Sequence, residues 1–150
     1  MESTVDLKKE IRPVTAVAWA MIVSILMYLG IAELIRYQNH PFTGFAPQSM
    51  PPKDVFLAGA LVAFIGIRLV RNAILKGAGS DTESRLSRLR TATIVSLVMT
   101  EIPAVMGLVL FLATGITEEF YVMVALSLVA AALYFPKLNH WEVWMRRRPA

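Results

Sequence analysis

The sequence contains no cysteine, and this absence excludes several kinds of chemistry at once. A chain without thiols has no disulfide bonds, no thiolate metal ligands and no thiol redox catalysis. It also lacks a phosphate-binding glycine loop, a His-Glu-x-x-His motif and the nucleophile elbow of serine hydrolases. We therefore expect a protein without enzymatic activity, catalytic residues, metal or cofactor.

Charge is also scarce, because charged residues make up 17% of the chain and hydrophobic residues 56%. The charges lie mostly between long apolar runs, which is typical of a polytopic membrane protein. In such a protein, a net charge of +4 indicates membrane orientation and contact with anionic lipid headgroups. It does not indicate nucleic-acid binding.

Four apolar segments predict an all-α fold with four transmembrane helices in one membrane domain, residues 1–150. Their approximate bounds are residues 14–36, 53–75, 82–115 and 120–136. Pro13 predicts the first helix start, and Gly115 to Glu119 predicts the turn between the last two helices. Glu33 and Arg36, spaced i and i+3, predict an ion pair at the end of the first helix.

An amphipathic tail follows the fourth helix, at residues 137–148. We expect it to lie in the membrane interface, because tryptophan and arginine are typical anchors at that depth. The predicted anchors are Trp141, Trp144, Arg146, Arg147 and Arg148.

The distribution of lysine and arginine predicts the orientation of these helices. The N-terminus carries three of the fifteen, the segment joining the second and third helices six, and the tail four. Because basic residues favour the cytoplasmic side, both termini should be cytoplasmic. His40 and His140 then lie on opposite sides of the membrane, so they cannot share a haem or metal.

Glu101 is the single charge between Thr91 and Thr117, in the third predicted helix. A carboxylate near the middle of a membrane costs roughly 2.5–3.5 kcal/mol or more if it stays ionised, so it is usually protonated, paired or functional. Pro103 follows two residues later and predicts a kink, because proline supplies no amide hydrogen for the carbonyl of Met99.

Two interpretations of Glu101 follow from the residues around it. Depth along the helices places Arg68 and Glu101 at levels that differ by about 5 Å, within reach of an arginine side chain, which predicts a buried ion pair that does no chemistry. In the alternative, Glu101 is a proton carrier that is alternately protonated and ionised, with hydrogen bonds from Thr100 or Ser96.

Small residues predict where the helices pack closely. Gly59, Ala63 and Gly66 lie on one side of the second helix at spacings i, i+4 and i+7. Such a stripe lets two backbones approach each other. On the third helix, Ala104 and Gly107 are the corresponding small residues.

The second and third helices resemble the hairpin of subunit c, the proton-carrying ring subunit of rotary ATP synthases. The resemblance covers about half of the chain. It rests on an outside-to-inside helix with small residues, a basic cytoplasmic connection, and the run Glu101-Ile-Pro-Ala-Val-Met-Gly-Leu-Val-Leu. In that family the return helix bears an essential acidic residue, so the resemblance implies a proton-binding role for Glu101.

Two hypotheses therefore remain for a multi-pass protein of the cell inner membrane. In the first, the chain is a structural or accessory subunit that contacts lipid, other membrane subunits or further copies of itself. In the second, it is a proton-binding protein, either similar to subunit c or a small proton-coupled transporter, with Glu101 as the carrier.

The orientation can be tested by cysteine labelling, because the natural chain has no thiol background. Cysteines introduced at Ser49 and Thr117 should react in intact cells with an impermeant thiol reagent, and one at Ser84 should not. Labelling of Ser84 in sealed cells would reverse the assignment.

Overall fold

The computed structural model describes residues 7–46, 53–76 and 82–146, which form six helices and no strand. The all-α prediction is confirmed for these residues. The helices are α1 (Leu7–Gln38), α2 (Lys53–Lys76), α3 (Thr82–Thr100), α4 (Ile102–Thr114), α5 (Thr117–Tyr134) and α6 (Leu138–Arg146).

Three helical segments among the described residues are long and apolar enough to cross a membrane. They are Leu7–Gln38, Glu83–Thr114 and Thr117–Tyr134, the second of which combines α3 and α4. The helix α2 corresponds to the second predicted span and is not among these three, and it carries Arg68 and Arg71 in its C-terminal half. Its crossing stays a prediction.

The first helix begins earlier than the sequence predicts, at Leu7, so that Pro13 lies inside it rather than at its start. Leu7 and Ile11 pack against a buried cluster that also contains Leu86 and Trp141. This contact extends α1 toward the N-terminus. Proline removes one helical hydrogen bond, to the carbonyl of Lys9, and Lys9 is exposed, where water can satisfy that carbonyl.

The connection between α4 and α5 is also shorter than predicted. Only Gly115 and Ile116 lie outside the helices, and Glu118 and Glu119 belong to the first turn of α5. Acidic residues are favourable there because the helix dipole is positive at its N-terminus. Gly115 adopts a left-handed φ of 75°, and its amide donates to the carbonyl of Phe111 at 2.7 Å.

The loop after α1 covers the C-terminal end of α4. The amide of Phe45 donates to the carbonyl of Leu112 at 2.8 Å, and that of Ala46 donates to Ala113 at 3.0 Å. The last turn of a helix leaves carbonyls without an intrahelical donor, and this loop satisfies two of them. Phe42 packs against Phe111, with ring centroids 5.1 Å apart.

Three buried clusters hold the helices together. One joins the N-terminal half of α1 to α3 and α6, a second joins the C-terminal half of α1 to α4 and α5, and a third joins α2 to α4 and α5. The second and third clusters lie on either side of α4. The combined segment α3–α4 therefore contacts every other helix.

The small residues of α2 face the combined segment α3–α4. A Cβ at Gly59 would lie 2.6 Å from the terminal methyl of Met106, and one at Gly66 would lie 3.6 Å from that of Met99. The methionine side chains occupy the space that these glycines leave. Ala63 lies between them and is half-buried.

The C-terminal helix α6 packs on protein rather than presenting both tryptophans to lipid. Trp141 is only 2% exposed and lies in the cluster formed by α1 and α3. The Arg85 guanidinium lies 5.1 Å from the ring centroid of Trp144 and donates to its carbonyl at 3.0 Å. The prediction of two tryptophan anchors is therefore corrected for Trp141, because the extended α1 provides an apolar surface for it.

The three predicted arginine anchors remain predictions. Arg146 is the last residue of α6, and Arg147 and Arg148 lie outside the described residues.

Gly107 and Gly30 form a matched pair for testing the close packing. A Cβ at Gly107 would lie 2.9 Å from the Cβ of Met123, whereas a Cβ at Gly30 would meet nothing within 4 Å. Gly107→Ala should lower the free energy of unfolding in detergent by about 1–3 kcal/mol, because overpacking forces neighbours to shift. Gly30→Ala should raise it, by about 0.5–1 kcal/mol. Equal effects of the two substitutions would contradict the packing described here.

Candidate functional site

Glu101 lies at the interruption between α3 and α4, where Pro103 predicts a kink. Its amide donates to the carbonyl of Val98 at 3.2 Å, and its carbonyl accepts from the amide of Val105 at 3.0 Å. The first is an i to i−3 bond and the second an i to i−4 bond, so the chain tightens at Glu101 and then resumes the α-helix. Pro103 is buried and supplies no donor to the preceding turn.

The interruption redirects the amide of Ala104 to another helix. In a continuous helix this amide would donate to the carbonyl of Thr100, but here it donates to Oγ of Ser127 in α5 at 2.9 Å. Ser127 and Ala104 are both fully buried. Because the membrane interior offers no water to a freed amide, a side chain must replace the helical acceptor.

Two hydroxyls that were predicted to support Glu101 serve α3 instead. The hydroxyl of Thr100 donates to the carbonyl of Leu97, and that of Ser96 donates to the carbonyl of Ala92, both at 2.6 Å. The structure therefore does not bring either hydroxyl to the carboxylate as a donor. Local back-bonding of this kind is common for Ser and Thr inside helices, where a carbonyl one turn earlier is always in reach.

The partner of Glu101 is Tyr28, which sequence reasoning did not assign to it. The Tyr28 hydroxyl in α1 donates to Oε1 of Glu101 at 3.5 Å, a long hydrogen bond between two half-buried side chains. A tyrosine in the middle of an apolar helix is a polar group that needs a partner, and this was the available signal. The two residues are 73 positions apart in the sequence, so residue spacing could not show that Tyr28 contacts Glu101.

Arg68 does not pair with Glu101 in the structure. It is exposed, and no ion pair joins these two described residues. The adjacent residue Ile67 is the one that faces the core, with no exposed surface. Side chains of successive residues in an α-helix point in directions about 100° apart. Depth arithmetic placed Arg68 at a suitable height, but it could not give the direction of its side chain.

Within the described ranges, Glu101 lies beside an apolar surface and has one hydroxyl donor, Tyr28. Its helical neighbours Val98, Ile102 and Val105 are 47%, 37% and 40% exposed, so Glu101 lies beside the outward face of the bundle. No described lysine, arginine or histidine forms an ion pair with Glu101.

A second acidic group, Glu33 near the C-terminal end of α1, has different surroundings. Glu33 accepts a hydrogen bond from the Tyr121 hydroxyl, and its Oε2 lies 2.9 Å from Nη2 of Arg36. The predicted ion pair between Glu33 and Arg36 is confirmed. Glu33 therefore has the cation that Glu101 lacks, and it provides an internal comparison for carboxyl reactivity.

No group of three His, Asp or Glu side chains among the described residues is arranged to hold a metal ion. Comparison with known protein families, with curated proteins and with solved structures finds no match to this chain.

The bond between Ser127 and Ala104 can be tested with a pair of buried serines. Ser127→Ala strands the Ala104 amide and should lower the free energy of unfolding by about 1–3 kcal/mol. Ser96→Ala should have a smaller effect, because the Ala92 carbonyl keeps its place in the helix when the hydroxyl is removed. Unfolding of both variants in the same detergent provides the measurement, and a larger effect of Ser96→Ala would contradict the assignment.

Proposed function

We propose that this chain is a non-enzymatic integral protein of the cell inner membrane that binds a proton at Glu101. The observation that carries the proposal is the pairing of Glu101 with a neutral hydroxyl donor, Tyr28, and with no cation among the described residues. A carboxyl group that is fixed by arginine stays ionised, whereas one in an apolar environment with a neutral donor can alternate between two states.

The neutral acid is the resting state in this proposal. Glu101 lies beside an outward apolar face, where an ionised carboxylate would cost roughly 2.5–3.5 kcal/mol or more. Release of the proton then requires a compensating group, which a neighbouring membrane subunit or a second copy can supply when it docks against this face. The break at Glu101 supports this role, because the Ala104 amide that it frees is satisfied by Ser127 of α5, and Glu101 stays at the point where the helix is interrupted.

The resemblance of the second and third predicted helices to subunit c leads to the same residue. In the structure these are α2 and the combined segment α3–α4, which pack together through Gly59 and Gly66. The proposal takes from the resemblance only the proton-binding carboxyl, and it leaves open whether the chain forms part of a ring or a small transporter.

Reaction with a hydrophobic carbodiimide tests the proposal, because the reagent attacks only the protonated acid. In folded protein in membranes, Glu101 should be modified slowly at about pH 6, and the modification should fade by about pH 9 as the carboxyl ionises. Peptide mass spectrometry locates the adduct.

Glu33 and the variant Glu101→Gln are the controls for this experiment. Glu33 is paired with Arg36, so it should remain unmodified at both pH values. Glu101→Gln should abolish the labelling. Absence of adduct on Glu101 at either pH, in protein that is folded in the membrane, would contradict the proton-binding role.

A second candidate function, a structural or accessory subunit of a membrane complex, is favoured by Arg68. This arginine is exposed beside Leu61, Ile65 and Leu69, which are 54%, 54% and 65% exposed. A cation on an apolar face of a membrane helix needs an anion, since a charged side chain in hydrocarbon is costly. An acidic residue of a partner subunit can meet that need.

The accessory role predicts a co-purifying protein in mild detergent. Arg68→Gln should release that protein, whereas Arg88→Gln should retain it, because Arg88 is exposed at the start of α3 and donates to the carbonyl of Ile74. Identical co-purification with both variants would remove Arg68 from the interface.

A further inference from the structure

A cleft at the end of α5 gathers basic side chains from three parts of the chain. Its volume is about 110 Å³, and it is lined by Arg71 from α2, Lys137 from the connection after α5, and His140 from α6. A cavity that holds one water molecule has a volume of only roughly 10–15 Å³ when it is measured in the same way. The space is therefore large enough for a small polyatomic group.

The charge in this cleft is unbalanced. Neither aspartate nor glutamate is among its lining residues in the described part of the chain. Arg71 is half-buried and forms no ion pair with any described residue; its guanidinium lies 5.7 Å from the ring centroid of Tyr134. That contact stabilises the cation but leaves its N–H donors available, and a partly desolvated guanidinium without an anion is costly.

The lining of the cleft indicates which kind of ligand fits it. Arg71, Lys137 and His140 carry a positive charge or can accept one, and Trp141 lies beside them in the lining. A lining that holds these side chains and, in the described part of the chain, no carboxylate favours an anion.

We infer that this cleft binds a phosphate group, held by Arg71 and Lys137. A guanidinium matches the oxygens of phosphate in a bidentate manner, and an ammonium adds a mobile point charge. The position of the cleft indicates two possible sources for this phosphate group. Thr93 lines it, two residues after Thr91, where the nearly uncharged run of the third predicted helix begins on the predicted cytoplasmic side. At that level the phosphate belongs to an anionic lipid headgroup or to the cytoplasm.

Native mass spectrometry of the full chain in a non-ionic detergent tests this inference with two probes. One is a short-chain phosphatidic acid and the other is inorganic phosphate. Arg71→Gln and Lys137→Gln should each weaken binding by about tenfold or more, the effect of losing a hydrogen bond to a charged group. Lys137 is exposed, so its substitution leaves the fold intact even if Arg71→Gln does not.

Arg90→Gln is the matched control, because Arg90 is an exposed arginine on the same predicted side of the membrane and outside the cleft. It should leave binding unchanged. If Lys137→Gln weakens the binding of both probes, the ligand is the phosphate group itself. If it weakens the binding of only one probe, that probe identifies whether the phosphate comes from lipid or from the cytoplasm. Binding of neither probe, or an equal loss in the control, would overturn the inference.

Discussion

The hydrogen bond from the Ala104 amide to Ser127 is the interaction on which the centre of the molecule depends. A helix in hydrocarbon can be interrupted only where another group satisfies the backbone that the interruption frees. Pro103 removes one donor from the ladder, and Ser127 supplies an acceptor from the neighbouring helix at 2.9 Å. The break at Glu101 is thus a joint property of α4 and α5. Without the hydroxyl of α5, the buried amide of α4 would have no acceptor in the bundle.

The two ends of the bundle are built differently around this centre. At one end, aromatic side chains of α4, α5 and the loop pack together, and loop amides satisfy the last carbonyls of α4. At the other end, α6 docks on α1 and α3 through Trp141 and Arg85, and basic side chains surround an open cleft. The orientation of these two ends across the membrane stays a prediction from the distribution of lysine and arginine.

Much of the fold follows from the sequence because membrane helices are determined by local composition. The apolar runs predict the bounds of α2 to within a residue, and Pro103 predicts the interruption. The start of α1 lies seven residues before the predicted one, because Pro13 is typical of a helix N-terminus but here lies inside the helix. A helix continues through proline when a distant contact stabilises the extra turns. Here that contact comes from α3 and α6, which local composition does not reveal.

The site was predicted only in part, for a geometric reason. Residue spacing gives the depth of a side chain in a membrane helix, and depth identified Glu101 correctly as a residue near the middle of its segment. It does not give the rotation of one helix against another, which decides that Ile67 rather than Arg68 faces the core. For the same reason, residue spacing could not identify Tyr28 as the partner of Glu101. Tyr28 belongs to a different helix and lies 73 positions away in the sequence.

The central claim is that Glu101 is a neutral acid which accepts a hydrogen bond from Tyr28, and infrared difference spectroscopy tests it directly. At neutral pH, subtracting the spectrum of Glu101→Gln from that of the natural chain should reveal the C=O stretching band of a protonated carboxyl group. Tyr28→Phe should shift this band to higher frequency, because removal of the donor strengthens the C=O bond. A difference spectrum that contains only carboxylate bands would contradict the account.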